Sequence, residues 1–279
     1  ALSAKRSRLN LMLVIALSVL QGITEFLPIS SSGHLRIAHS FFGEHEASTA
    51  QDVVLHLATL LSVFWVFKGE LLALLKPKSD QGTGETPGLI RTASLVIIAT
   101  IPAGLLGVFA GDTLEELTTQ LNRVGYAYLG NACILSIAHV AGRRETTRTL
   151  HDMSLRDAFL IGLAQSVALI RGISRSGSTI TAALCLGYNA SSAALFSFLL
   201  AIPAIGGAAF LQLLPMIKGE ASYASTFQAE PLELALMFGL TFAIGVGALR
   251  VLLLSAKKSI WWPYAVYSIL LGFVAIMAG

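Results

Sequence analysis

Six polar side chains interrupt an apolar run near the start of the chain: Gln21, Glu25, Ser30, Ser31, Ser32 and His34. They lie in Gln21-Gly22-Ile23-Thr24-Glu25-Phe26-Leu27-Pro28-Ile29-Ser30-Ser31-Ser32-Gly33-His34. A second stretch answers it 144 residues later, with Gln165 and then Arg171-Gly172-Ile173-Ser174-Arg175-Ser176-Gly177-Ser178-Thr179. In register, Gln165 matches Gln21, Ser174 matches Ser30, Ser176 matches Ser32 and Gly177 matches Gly33, while Arg175 stands opposite Ser31. The two stretches read as halves of one active site.

Pro28 removes a backbone donor and restricts Leu27 before it, so a helix breaks there and a new one starts at the serines. A helix start has unpaired N–H groups and the positive end of the dipole. Serine caps such a start well, and the result is an anion site. Ser174, Arg175, Ser176 and Gly177 repeat the device. Two helix starts aimed at one point, with an arginine on one of them, suit a ligand carrying more than one phosphate.

Arg175 costs about 2.5–3.5 kcal/mol inside a bilayer, so it needs a cavity or a partner. Its planar fork can hold phosphate oxygens in pairs. Glu25 could hold a divalent cation, Mg²⁺ or Ca²⁺, pair with Arg175, or act as a base. Gln21, one turn earlier on the same face, can add an amide oxygen. His34 lies three residues after Ser31, where a hydroxyl and an imidazole could pass a proton. Arg171 reads equally as a further phosphate contact or as a reach toward lipid headgroups. His56, four residues after Asp52, reads as a supporting residue or as packing.

The elements that must position these groups are membrane helices. Hydrophobic residues make up 54% of the 279 and charged residues 13%, with mean hydropathy +0.72. A soluble domain carries about 25% charged residues. The net charge of +3 is too small to argue for nucleic acid. Cys133 and Cys185 lie in apolar windows and are expected to be buried thiols without a disulfide. The apolar run Leu9–Leu20, preceded by Lys5, Arg6 and Arg8, has the look of a secretory signal. No A-x-A-type cleavage site follows, and it is expected to be a retained membrane segment.

Eight apolar windows recur, and the halves share a plan. Each polar stretch leads into an apolar segment of 13 residues ending at a glycine, Ser30–Phe42 before Gly43 and Ser174–Leu186 before Gly187. That is short of the ~20 residues a spanning helix needs, so each forms a re-entrant hairpin with the run before it. Spans are expected at Val53–Phe67, Leu89–Phe109, Val124–Ala141, Ser191–Ile217, Leu232–Leu254 and Ile260–Ala278. Loops are expected at 43–52, 68–91, 111–123 and 142–156, with Asp112, Glu115 and Glu116 in the third. Pro102 and Gly104 should kink the second span.

The fold class is therefore all-α polytopic membrane protein. It has two inverted repeats, about 9–142 and 155–279, in one integral membrane domain spanning 1–279. Each repeat is one re-entrant hairpin plus three transmembrane helices. Inverted repeats with broken helices meeting near the midplane are a transporter architecture as well. Loops 68–91, 142–156 and 255–260 share a face with 10 Lys and Arg, against 5 on the other, so that face is expected to be cytoplasmic and both termini outside. With eight spans the two Lys- and Arg-rich loops 68–91 and 142–156 would still be cytoplasmic, so the charge count does not choose between six spans and eight.

Gln21-xxx-Glu25 with Phe26-Leu27-Pro28-Ile29-Ser30-Ser31-Ser32-Gly33-His34, followed by Gly172-Ile173-Ser174-Arg175-Ser176-Gly177-Ser178-Thr179, resembles the bacterial undecaprenyl pyrophosphate phosphatases of the bacitracin-resistance type. The resemblance covers essentially the whole chain. It implies release of the terminal phosphate of undecaprenyl pyrophosphate, giving the monophosphate carrier lipid for cell-wall synthesis. It also implies a divalent cation and a site opening to the outer face of the bacterial plasma membrane.

By position, Ser31 would be the attacking hydroxyl and His34 its proton partner. Arg175 would grip the pyrophosphate, lined by Ser174, Ser176 and Thr179, and Glu25 would act with the cation. The substrate-binding set is completed by Gln21, Ser30, Ser32, Gly33 and Gly177. The chain departs from the family at Gln21, where glutamate is frequent, and at Arg171, where proline is common. The partners expected are a polyprenyl pyrophosphate lipid and the bilayer, with a homodimer left open. A polyprenyl-phosphate flippase is the rival reading, and it needs no imidazole near Ser31. An intramembrane serine protease is a third, and it leaves the arginine unexplained.

Overall fold

The structure, a computed structural model, describes residues 2–42, 49–75, 88–218 and 230–279. Among these, regular structure is helical, with eleven α-helices, one 3₁₀ turn and an isolated bridge between Arg148 and Tyr188. The first polar stretch joins α1 (Leu2–Thr24) to α2 (Ser31–Phe42), and α3 (Thr49–Val66) and α4 (Lys68–Leu75) follow. Next come α5 (Leu89–Leu117), α6 (Leu121–Ala141) and the 3₁₀ turn Leu150–Asp152. The second half repeats the order with α7 (Leu155–Val167), α8 (Arg175–Cys185), α9 (Ala190–Ile217), α10 (Pro231–Lys257) and α11 (Trp262–Ala278).

Among the described residues, four helices are long and apolar enough to cross a membrane, within Leu89–Gly111, Leu121–Ala141, Ala190–Leu214 and Pro231–Lys257. A fifth candidate is the pair α3 and α4, bent by 71°. α11, with 17 residues, is apolar but shorter. The chain is thus a polytopic helical membrane protein.

Three local expectations need correction. Lys68–Leu75 is helix rather than open connector, because it holds no breaker beyond Gly69; Phe67 packs into the bend against Phe198, 5.5 Å between centroids. α5 runs through Asp112, Glu115 and Glu116 to Leu117, since nothing in Thr113–Leu117 breaks a helix. Asp52 sits in the first turn of α3, where its charge suits the helix dipole, and not in an exposed loop. Pro102 lies within α5. Gly43, Glu44, His45, Glu46 and the polar core of the 68–91 connector lie outside the described residues.

Cys133 and Cys185 are both free and both exposed on the protein's outer surface. Apolar sequence marks burial in lipid as readily as burial in protein, which is why the windows misled there.

Packing exchanges partners between the halves. α1 lies on α10 and α7 on α5, so each hairpin's first helix is seated on a helix of the other half. α6 and α11 lie side by side, touching closely where a Cβ on Gly125 would come within 2.6 Å of the Gly272 carbonyl. The main apolar core joins α3, α8, α9 and α10, and reaches the first polar stretch through Phe26, edge-on to Phe198 at 5.9 Å.

Candidate active site

α1 ends at Thr24, and the chain turns through Glu25–Ile29 before α2 begins. Ser30 takes φ +65°, an uncommon conformation for a residue with a side chain. Its hydroxyl accepts from Gly33 N at 3.3 Å, and in the second half Ser174 Oγ accepts from Gly177 N at 3.1 Å. Each serine also reaches the next-but-one, with Ser30 to Ser32 at 3.4 Å and Ser174 to Ser176 at 3.1 Å. The two helix starts thus share these side-chain bonds, as the repeated pattern implies, although Ser174 takes an ordinary extended φ of −80°.

The tips meet. Gly172 N donates to Ser30 Oγ at 3.1 Å, and Ser176 Oγ donates to the Phe26 carbonyl at 3.0 Å. Gly172 adopts φ +108° in the break between α7 and α8, with Ala127 and Val124 close against it, and only glycine suits both demands. Arg171 lies beside it in the same break.

Glu25 is the hub. Its Oε1 accepts from Arg175 Nη2 at 2.9 Å across the tips. Its Oε2 accepts from Ser31 Oγ at 2.7 Å and from Gln21 Nε2 at 3.2 Å. The glutamate side chain is 8% exposed and the arginine 15%, so the pair is largely desolvated. Arg175 Nη1 is buried with no partner among the described residues, a donor left over for an anion. A cavity of about 60 Å³ opens here, lined by Glu25, Ser30, Ser31, Ser32, Ser174 and Arg175 among others.

His34 is engaged elsewhere. Its Nδ1 donates to the Ser30 carbonyl at 2.7 Å, with Tyr128 Oη alongside at 2.8 Å. Its Nε2 accepts from Tyr267 Oη at 2.7 Å, an assignment that follows from the partners. The structure contains no hydrogen bond between His34 and Ser31. The i, i+3 spacing set a shared side of α2, but Tyr128 and Tyr267 from α6 and α11 take the ring.

Other expected members sit behind the cavity. Thr179 Oγ1 bonds Ser197 on α9 at 2.7 Å, Ser176 serves the tip-to-tip bond, and Gly177 packs near Pro28 and Leu135. Gly33 faces Tyr128, whose hydroxyl would be 2.6 Å from an added Cβ. His56 Nδ1 lies 2.8 Å from the carbonyl of Asp52, on its own helix. Sequence reasoning missed Tyr128, Tyr267, Asn131 and Ser268. An asparagine in an apolar span is costly enough to have been a signal; tyrosines are not.

As for a cation, no group of three or more His, Cys, Asp or Glu occurs among the described residues. Gln21 Oε1, however, is a buried acceptor without a partner beside the one carboxylate. That donor set fits a hard divalent ion only where substrate oxygens complete it, a common way of holding Mg²⁺.

Helices that break at two facing tips, with a largely desolvated Arg–Glu pair and serine-capped helix starts between them, define a helical membrane protein with a polar site enclosed between its two halves. The chain belongs to the family described as Bacitracin resistance protein BacA, whose family model matches residues 14–274. It is 38% identical over 270 residues to an "Undecaprenyl-diphosphatase" of Parabacteroides distasonis, covering 93% of this chain and 95% of that protein. It is likewise 38% identical over 264 residues to one of Nitrosococcus oceani, covering 93% and 95%. An "Undecaprenyl-diphosphatase 2" of Stutzerimonas stutzeri is 40% identical over 214 residues, covering 76% and 79%.

Proposed function

We propose that this chain is an undecaprenyl pyrophosphate phosphatase, releasing the terminal phosphate of the lipid pyrophosphate and leaving undecaprenyl phosphate. Relatives bearing the name undecaprenyl-diphosphatase over nearly the whole chain support it. The observation that carries the mechanism is Glu25, joined to Ser31 by one oxygen and to Arg175 by the other.

In this reading Ser31 Oγ attacks the terminal phosphorus and its proton passes to Glu25, the acceptor already 2.7 Å away. The bond from that phosphorus to the bridging oxygen breaks, and undecaprenyl phosphate leaves with the electron pair. Water then hydrolyses the phosphoserine, and inorganic phosphate departs. Arg175 Nη1 and the N–H groups at the starts of α2 and α8 stabilise charge on the transferred group. A divalent cation bound by Glu25 and Gln21, Mg²⁺ or Ca²⁺, would add positive charge against the diphosphate oxygens. His34 acts through Ser30, whose carbonyl it holds, and so positions the tip that carries Ser31.

The proposed topology has six spans, the bent pair α3 with α4 and then α5, α6, α9, α10 and α11. The hairpins α1/α2 and α7/α8 re-enter from opposite faces as inverted repeats. The basic loops 68–91, 142–156 and 255–260 face the cytoplasm, and the site opens to the outer side of the bacterial inner membrane. The protein is proposed to form a homodimer, which light scattering in detergent tests.

The test is purified protein in detergent given a prenyl pyrophosphate with Mg²⁺ or Ca²⁺. Phosphate release is expected, abolished by a chelator, restored by the metal, and absent in Ser31→Ala. No release by the unaltered protein would overturn the reading in favour of a polyprenyl-phosphate flippase. The Ser31–Glu25 bond, which leaves the hydroxyl poised beside an acceptor for its proton, is what sets hydrolysis above that alternative.

A further inference from the structure

Both tips are tied to one side chain that the motifs do not contain. Asn131, in the middle of α6, is fully buried. Its Nδ2 donates to the Pro28 carbonyl at 2.9 Å and to Ser268 Oγ on α11 at 3.0 Å. Its Oδ1 accepts from Ser174 N at 3.0 Å. Pro28 is three residues from Ser31, and Ser174 adjoins Arg175. One amide thus holds the backbone beside the attacking hydroxyl and the backbone beside the phosphate-gripping arginine.

We infer that Asn131 is a positioning residue for the reaction, setting the spacing between the Ser31–Glu25 tip and the Arg175 tip. The inference rests on the phosphatase reading above. The chemistry of the three partners explains the residue type. Pro28 offers only a carbonyl, which requires a donor, and Ser174 offers an N–H, which requires an acceptor. A short primary amide supplies both at once. Aspartate keeps the acceptor but turns a second oxygen toward the Pro28 carbonyl, where it can bond only when protonated. Leucine fills similar space and supplies neither.

The direct bonds between tips, Gly172 N to Ser30 and Ser176 to Phe26, set that the tips touch. Asn131 references both to α6 and, through Ser268, to α11. A displacement of about 1 Å in a reacting group can cost about 10²-fold in rate, so the expected effect falls on kcat.

The experiment compares Asn131→Leu, Asn131→Asp and Ser268→Ala with the unaltered full-length protein, by phosphate release and thermal unfolding in one detergent. Asn131→Leu should lose about 10²-fold in kcat. Asn131→Asp should be similarly slow at neutral pH and recover as pH falls and its carboxyl gains the missing proton, a rise the unaltered protein lacks. Ser268→Ala removes one partner only, and should show a several-fold lower kcat at an unchanged unfolding midpoint. It decides the matter if the other two do not fold. Folded Asn131 variants with full kcat, an Asn131→Asp profile parallel to the unaltered one, or full kcat in Ser268→Ala would each overturn the inference alone. An unaltered protein that releases no phosphate overturns the functional reading and this inference with it.

Discussion

Two carboxylate oxygens on Glu25 serve three donors, and Arg175 is the most demanding of them. Breaking a buried ion pair by removing one partner costs about 3–5 kcal/mol, because the other charge is stranded. Glu25→Gln is therefore expected to lose turnover and to unfold at a clearly lower temperature, which phosphate release and thermal melts will show. Arg175→Lys keeps the charge but not the fork. It should stay folded while kcat/KM falls about 10²–10³-fold, the usual effect of deleting a transition-state donor; near-normal activity would remove Arg175 from the site. Gln21→Glu sets a second carboxylate beside the first. It should retain activity and reach half-maximal rate at lower Mg²⁺, and a dead enzyme would show that the Gln21 amide, not a cation, is what the position requires.

At the scale of elements, the breaks matter more than the helices. Gly172 and Gly187 both have positive φ, +108° and +85°, but their surroundings differ. An alanine at 172 would meet Ala127 Cβ and the Val124 carbonyl at 2.8 Å, whereas at 187 its nearest neighbour is Arg148 Cδ at 3.8 Å. Both substitutions incur the backbone cost of about 1–3 kcal/mol. Only Gly172→Ala adds overpacking, of similar size. Gly172→Ala should thus lower the unfolding midpoint substantially more than Gly187→Ala. Equal shifts would mean that the α7–α8 break is not pressed against α6 as described.

For the whole molecule, the proposed orientation rests on the distribution of charge. Lys and Arg number 10 on one proposed face and 5 on the other, and cytoplasmic loops hold the excess. With Cys133 and Cys185 changed to serine, a cysteine at Arg144 should react with a membrane-impermeant maleimide only after cells are permeabilised. A cysteine at Lys218 should react in intact cells. The reverse pattern would turn the protein over and place the site on the cytoplasmic side.

The primary structure alone determined what depends on neighbours along the chain. The break after Thr24 follows from Pro28, the capping of α8 from Ser174 and Gly177, and the pairing of two half-sites from a repeat at constant offset. Tertiary structure decided which group each of those residues faces. Spacing puts Ser31 and His34 on one side of α2, but the partners that claim them come from elsewhere: Glu25 for the hydroxyl, and Tyr128 and Tyr267 for the ring. The same holds for Asn131, whose three bonds join α6 to segments 43 to 137 positions away. Hydropathy reports that a segment leaves water; it carries no information on whether lipid or protein receives each face, and Cys133 and Cys185 are exposed for that reason.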